Sequence, residues 1–101
     1  MQNAVKSDEA ERAIRTVIYD RVGKSVVDSV SVTSSDDAIG EPSFFVTVYL
    51  KNGRDRPKAE KTIEMIKAMR DALFDLDDDR FPHLSFRAPE DEESEDTRPE
   101  R

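Results

Sequence analysis

Two spacings of apolar residues predict five elements in the order helix, strand, strand, helix, strand. Steps of three and four residues predict one amphipathic helix, capped at Asp8 and ended at Gly23. The same spacing predicts a second helix that begins near Pro57 and runs to about Leu76, with an apolar stripe that includes Ile63 and is broadened by Phe74. Alternation with a period of two predicts the three strands, Val26 to Thr33, Phe44 to Leu50 and His83 to Arg87. The polar segment Ser34 to Ser43 predicts a long, mobile loop between the first two strands.

Both helical stripes need a surface to cover, and a three-stranded sheet supplies one. We therefore predict an α+β domain, a two-layer sandwich of α-β-β-α-β order with both helices on one face of the sheet. The second strand has the clearest alternation and is expected at the centre, with Phe44, Val46, Val48 and Leu50 inward. In the first strand we expect Val26, Val30 and Val32 to be buried, and in the last strand Leu84 and Phe86. Phe81 and Pro82, just before that strand, are expected to enter the core together. If the second helix joins parallel strands, its crossover should be right-handed.

The opposite face of the sheet is predicted to be uncovered, and it carries two aromatic side chains, Phe45 and Tyr49. One interpretation is a protein interface, with a partner protein or with a second copy in a homodimer, formed through this face or through an exposed strand edge. Another is base stacking on the two rings, and a third is that exposed strand aromatics have no special role. The candidate interface residues are Val27, Phe45, Thr47, Tyr49 and Arg87.

The negative charge of the chain is concentrated at one terminus. The formal charge of the 101 residues is −7, and residues 90–101 contribute −5 through seven acids against Arg98 and Arg101, which leaves −2 for residues 1–89. We divide the chain into a flexible segment 1–7, one domain 8–89 and a disordered acidic tail 90–101. The tail either keeps the protein soluble or attracts a basic partner, for instance by resembling nucleic-acid phosphate.

Signs of catalysis are absent from the sequence. There is no cysteine, His83 is the only histidine, and the three glycines are too dispersed to hold a phosphate. The acidic run that begins at Asp75 does not fit a calcium loop, because Arg80 stands where that loop needs glycine. We expect no catalytic or metal site, no cofactor and no small-molecule substrate. No apolar run reaches membrane-spanning length, so we expect a cytoplasmic protein without a membrane partner.

The segments SVVDSVSVTSSDD, SFFVTVYL, KAEKTIEMIKAMRDALFDL and DRFPHLSFR resemble, in order and spacing, the KH-like domain of ribosome-binding factor A. The resemblance covers about residues 9 to 90 and implies binding to the small ribosomal subunit during its maturation. No site residue is carried over from that family. RNA binding is therefore the alternative to a protein-interaction module, and its candidate anion contacts are Lys51, Arg54, Arg56, Lys58 and Lys61.

Overall fold

The computed structural model describes residues 2–89, with side chains from Asp8 onward. Its elements are α1 (Gln2–Val22), β1 (Val27–Asp36), β2 (Pro42–Leu50), a short 3-10 turn (Gly53–Asp55), α2 (Ala59–Phe74) and β3 (Phe81–Arg87). The predicted α+β class and element order are confirmed. The acidic tail expected at 90–101 lies outside the described residues.

The sheet has the order β1-β2-β3, which confirms β2 as the central strand. β1 and β2 are antiparallel, and β2 and β3 are parallel. Ala10, Ile14 and Ile18 of α1, and Met69 and Leu73 of α2, are buried in one core with the inward side chains of the sheet. Both helices therefore cover the same face. The predicted inward residues of β2 are all buried: Phe44, Val46, Val48 and Leu50.

Val27 is buried at 4 % exposure, so its predicted place on the uncovered face is wrong. The reason is a β-bulge. Val27 pairs with Leu50 and Ser29 pairs with Tyr49, so Asp28 is an extra residue in β1. An extra residue reverses the phase of the alternation, which puts Val27 and Val30 on the same side and leaves Asp28 exposed.

The loop between β1 and β2 is shorter than the predicted Ser34 to Ser43. Pairing continues to Asp36 opposite Pro42, and only residues 37–41 form the turn. Asp37 holds it, because its carboxylate accepts hydrogen bonds from the backbone N–H groups of Ile39 at 3.0 Å and Glu41 at 2.9 Å. Gly40 supplies the left-handed conformation, with φ of 86°.

The helix bounds also differ from the prediction. α1 begins at Gln2, so Asp8 lies inside the helix and does not cap it, although flexibility of the first residues stays a prediction. α2 buries Met65, Met69 and Leu73, whereas Ile63 and Phe74, expected on its apolar stripe, are 58 % and 57 % exposed. At about 100° per residue, Ile63 and Phe74 lie roughly 120° and 140° around the helix from Met69, outside the buried stripe.

Candidate functional site

The uncovered face of the sheet carries a regular array of side chains, which we call the open face. Three of its rows run across the strands: Thr33, Phe45 and His83; Ser31, Thr47 and Ser85; Ser29, Tyr49 and Arg87. The pairing thus brings together Phe45, Thr47, Tyr49 and Arg87, four of the five predicted interface residues. Phe45 and Tyr49 are each 37 % exposed.

An aromatic cluster occupies one end of the open face. The His83 ring stacks on Phe45 with 4.8 Å between centroids and 12° between planes. Phe81 meets His83 edge to face, with 4.9 Å between centroids and 67° between planes. The Arg70 guanidinium of α2 lies 5.5 Å from the Phe81 centroid, a cation–π distance. These contacts hold the three rings in fixed orientations.

Phe81 was expected to enter the core together with Pro82, but only Pro82 is buried, and Phe81 is 38 % exposed. The alternation of β3 carries the signal for this arrangement. Leu84 and Phe86 pack against the core, and counting back by two from Leu84 reaches Pro82, which leaves Phe81 beside His83 on the open face. The cluster was missed because β3 was predicted to start at His83, two residues after its start in the structure.

His83 is tied to the backbone through a buried hydroxyl. Its Nε2 lies 3.3 Å from Ser43 Oγ, and that hydroxyl donates to the carbonyl oxygen of Glu41 at 3.1 Å. Because the hydroxyl has one hydrogen, which goes to Glu41, Ser43 Oγ accepts and His83 Nε2 donates. The arrangement holds the ring in place, and the hydroxyl beside it is shielded from solvent, since Ser43 is buried at 1 % exposure.

The predicted anion contacts lie around the turn between β2 and α2, at the end of the sheet where β2 and β3 finish. Lys51, Arg54, Lys58 and Lys61 are exposed. Arg56 has a structural role, because its guanidinium donates to the carbonyl oxygen of Phe86 at 3.0 Å. The cluster is thus beside Tyr49 and Arg87 of the open face and far from the aromatic cluster.

Both outer strands of the sheet have a backbone acceptor bound by an arginine. On β3 it is the Phe86 carbonyl, bound by Arg56, and on β1 it is the Val30 carbonyl, to which Arg15 of α1 donates at 2.6 Å. An arginine bound to one carbonyl of each outer strand takes a backbone acceptor away from any added strand, and its charge lies beside that strand, which makes both outer strands poorer templates. The open face is therefore the candidate surface for a partner.

Among the described residues, no group of three or more acids or histidines is arranged to hold a metal ion. No helix in the described part of the chain is long and apolar enough to cross a membrane.

No protein-family model, curated protein or solved structure matches the chain. The resemblance to ribosome-binding factor A stays a prediction.

Proposed function

We propose that this protein is a small, non-catalytic interaction module that associates with a second copy of itself through the open face. The observation that carries the proposal is the aromatic cluster of Phe45, His83 and Phe81 on a sheet face that no element of the described chain covers.

Charge favours a protein occupant of this face. The rows of the open face contain one charged residue, Arg87, although 39 % of the residues in the chain are charged. Depletion of charge with enrichment of aromatic residues is typical of the centre of a protein interface. A surface that binds the nucleic-acid backbone needs several cations, and here the rows of the open face hold Arg87 alone, while Lys51, Arg54, Lys58 and Lys61 lie around the end of the sheet.

The layout of the face favours a second copy as that protein. The aromatic cluster lies at one end of the open face, and Tyr49 and Arg87 lie at the other end. A two-fold axis near Thr47, at the middle of β2, brings Arg87 and Tyr49 of each copy against Phe45 and His83 of its mate. Ring–ring and guanidinium–ring contacts are then each made twice, with no like charges apposed.

The size of the face sets the strength of the association. Three strands about 4.8 Å apart and a length of seven residues at about 3.3 Å give a footprint of roughly 330 Å². Stable complexes bury about 800 Å² on each partner, so the dimer should be weak, with a dissociation constant in the micromolar range or above.

The test is sedimentation velocity over a wide range of protein concentration, with Phe45→Glu and Tyr49→Glu as test variants. We expect the mass of the wild type to rise from 11.5 kDa toward twice that value, and both variants to remain monomeric because each buries a charge in the interface. Ile63→Glu is the matched control, since it places the same charge on an exposed apolar residue of α2. Circular dichroism establishes that all variants are folded.

Two results would overturn the proposal. One is a wild-type protein that stays monomeric up to millimolar concentration, and the other is dimerisation that Phe45→Glu leaves unchanged. Salt-sensitive retention of single-stranded RNA that is lost in Phe45→Glu and in Lys51→Glu would instead assign the open face and the neighbouring cations to RNA.

A further inference from the structure

The connecting segments of the fold separate charge toward the two ends of the sheet. At one end lie residues 21–26, 51–58 and 87–89, which hold seven cations and a single acid, Asp55. At the other end lie residues 36–41 and 75–80, which hold seven acids and a single cation, Arg80. We call them the basic end and the acidic end. The cations of the basic end are Arg21, Lys24, Lys51, Arg54, Arg56, Lys58 and Arg87.

Backbone contacts establish that the three segments of the basic end are neighbours. Lys51 N–H donates to the carbonyl oxygen of Val26 at 3.0 Å, which joins the segment after α1 to the segment after β2. Tyr49 pairs with Arg87, and Arg56 donates to Phe86, which joins both to the end of β3. The net charge of the basic end remains positive when the adjoining Asp20, Asp28, Glu60 and Lys61 are counted with it.

The chain leaves the described domain at this same end. Ala88 and Pro89 line one small concavity together with Asp28, Tyr49, Leu50 and Arg87. The next residues, 90–101, carry seven acids and two arginines. A strongly negative segment thus begins directly beside the most positive part of the domain.

From this juxtaposition we propose that residues 90–101 occupy the basic end of their own chain and mask it from other polyanions. Attachment at Pro89 gives the tail a local concentration in the millimolar range without any entropy cost of association between molecules. A random-coil chain of twelve residues, the length of this segment, has a root-mean-square span of about 19 Å, enough to cover the basic end. The acidic end lies about 23 Å away along the seven residues of β3 and repels the tail.

Paramagnetic relaxation tests the proposal in the full chain. Because there is no cysteine, Ser94→Cys gives a single site for a nitroxide label and leaves every tail charge in place. At about 0.01 M salt, where the Debye length is about 30 Å, we expect strong broadening of the amide signals of residues 21–26 and 51–58. At about 1 M salt, with a Debye length of about 3 Å, the broadening there should fall at least about twofold.

A paired substitution separates binding from simple nearness to the attachment point. Lys51→Gln with Lys58→Gln should reduce the broadening of residues 21–26 about as much as high salt does. The control, Arg12→Gln with Lys67→Gln, removes two equally exposed cations from the helices and should leave the broadening unchanged. Broadening that ignores salt and both substitutions, or that is equal over the whole surface, would overturn the proposal. Its failure does not bear on the association through the open face, because none of the four cations substituted here belongs to the rows of that face.

Discussion

Arg80 connects the end of α2 to the sheet, and its removal should be the most damaging single change to a charged residue among those described. Its guanidinium forms a bidentate pair with the Asp78 carboxylate, in which Nε donates to Oδ1 at 2.9 Å and Nη2 donates to Oδ2 at 2.6 Å. It also donates to Ser34 Oγ of β1 at 2.9 Å and lies 4.1 Å from the centroid of the buried Phe44 ring. The hydrogen bond with Asp78 raises the pKa of Arg80, so its charge is constant over the whole working range of pH.

The expected loss follows from what Arg80→Ala leaves behind. Asp78 is only 8 % exposed, so a carboxylate that loses its bidentate partner is left nearly buried. Hydrogen bonds to charged groups contribute about 1.5 to 3 kcal/mol, and a partly exposed cation–π contact about 0.5 to 1 kcal/mol. Since the Arg80 side chain is itself 21 % exposed, we take the lower part of these ranges and expect a loss of about 2 to 3 kcal/mol.

A double-mutant cycle in urea isolates the pair. Arg80→Ala, Asp78→Ala and the double variant are compared with the wild type, and Arg12→Ala, an exposed arginine of α1, serves as the control. The coupling energy between the two positions should be at least about 1 kcal/mol, because either single variant removes the same bidentate ion pair. A coupling below about 0.5 kcal/mol, or a loss no larger than that of the control, would refute the reasoning.

Three further changes test the backbone and the core. α2 ends in a Schellman-type turn, in which Asp77 has a φ of 61° and Asp78 N–H donates to the carbonyl oxygen of Leu73 at 2.9 Å. Because glycine adopts positive φ without strain, Asp77→Gly should raise the free energy of unfolding by about 0.5 to 1 kcal/mol. An unchanged melting temperature would contradict this. Gly40→Ala should lower the free energy of unfolding by about 1 kcal/mol, measured by urea unfolding. The positive φ is the whole cause, since no atom lies within 4 Å of the added methyl group. Val27→Ala should cost about 1 to 2 kcal/mol and Ser29→Ala almost nothing, whereas equal effects would contradict the bulge at Asp28.

The central strand shows what alternation alone can predict. Phe44 to Leu50 has no insertion and one buried face, so its register and its outward residues follow from the sequence. β1 also alternates, with valine and serine, but the bulge reverses the phase of its alternation after Val27. A sequence that alternates valine and serine does not reveal where an unpaired extra residue stands. The acidic Asp28 between Val27 and Val30 was the one indication of the bulge.

The open face was predicted as a surface, but its aromatic cluster was not. Phe45 and His83 come from strands separated by the whole of α2, and only the parallel pairing of β2 and β3 places them opposite each other. The Arg80 pair has a similar origin, since it depends on a turn with one residue at positive φ. Long-range register and local backbone conformation are properties of the folded chain, and the spacing of residue types carries little information about either.

The arginines bound to the Val30 and Phe86 carbonyls affect how far association can proceed. A sheet that grows through its outer strands adds one chain after another and ends as a fibre, because each addition exposes a new outer strand. A dimer formed face to face about a two-fold axis buries the open faces of both copies, so no binding surface is left for a third copy. One carbonyl of each outer strand is already bound by an arginine, so, if the proposed face-to-face association holds, concentrated solutions of this protein should contain discrete pairs and few long polymers.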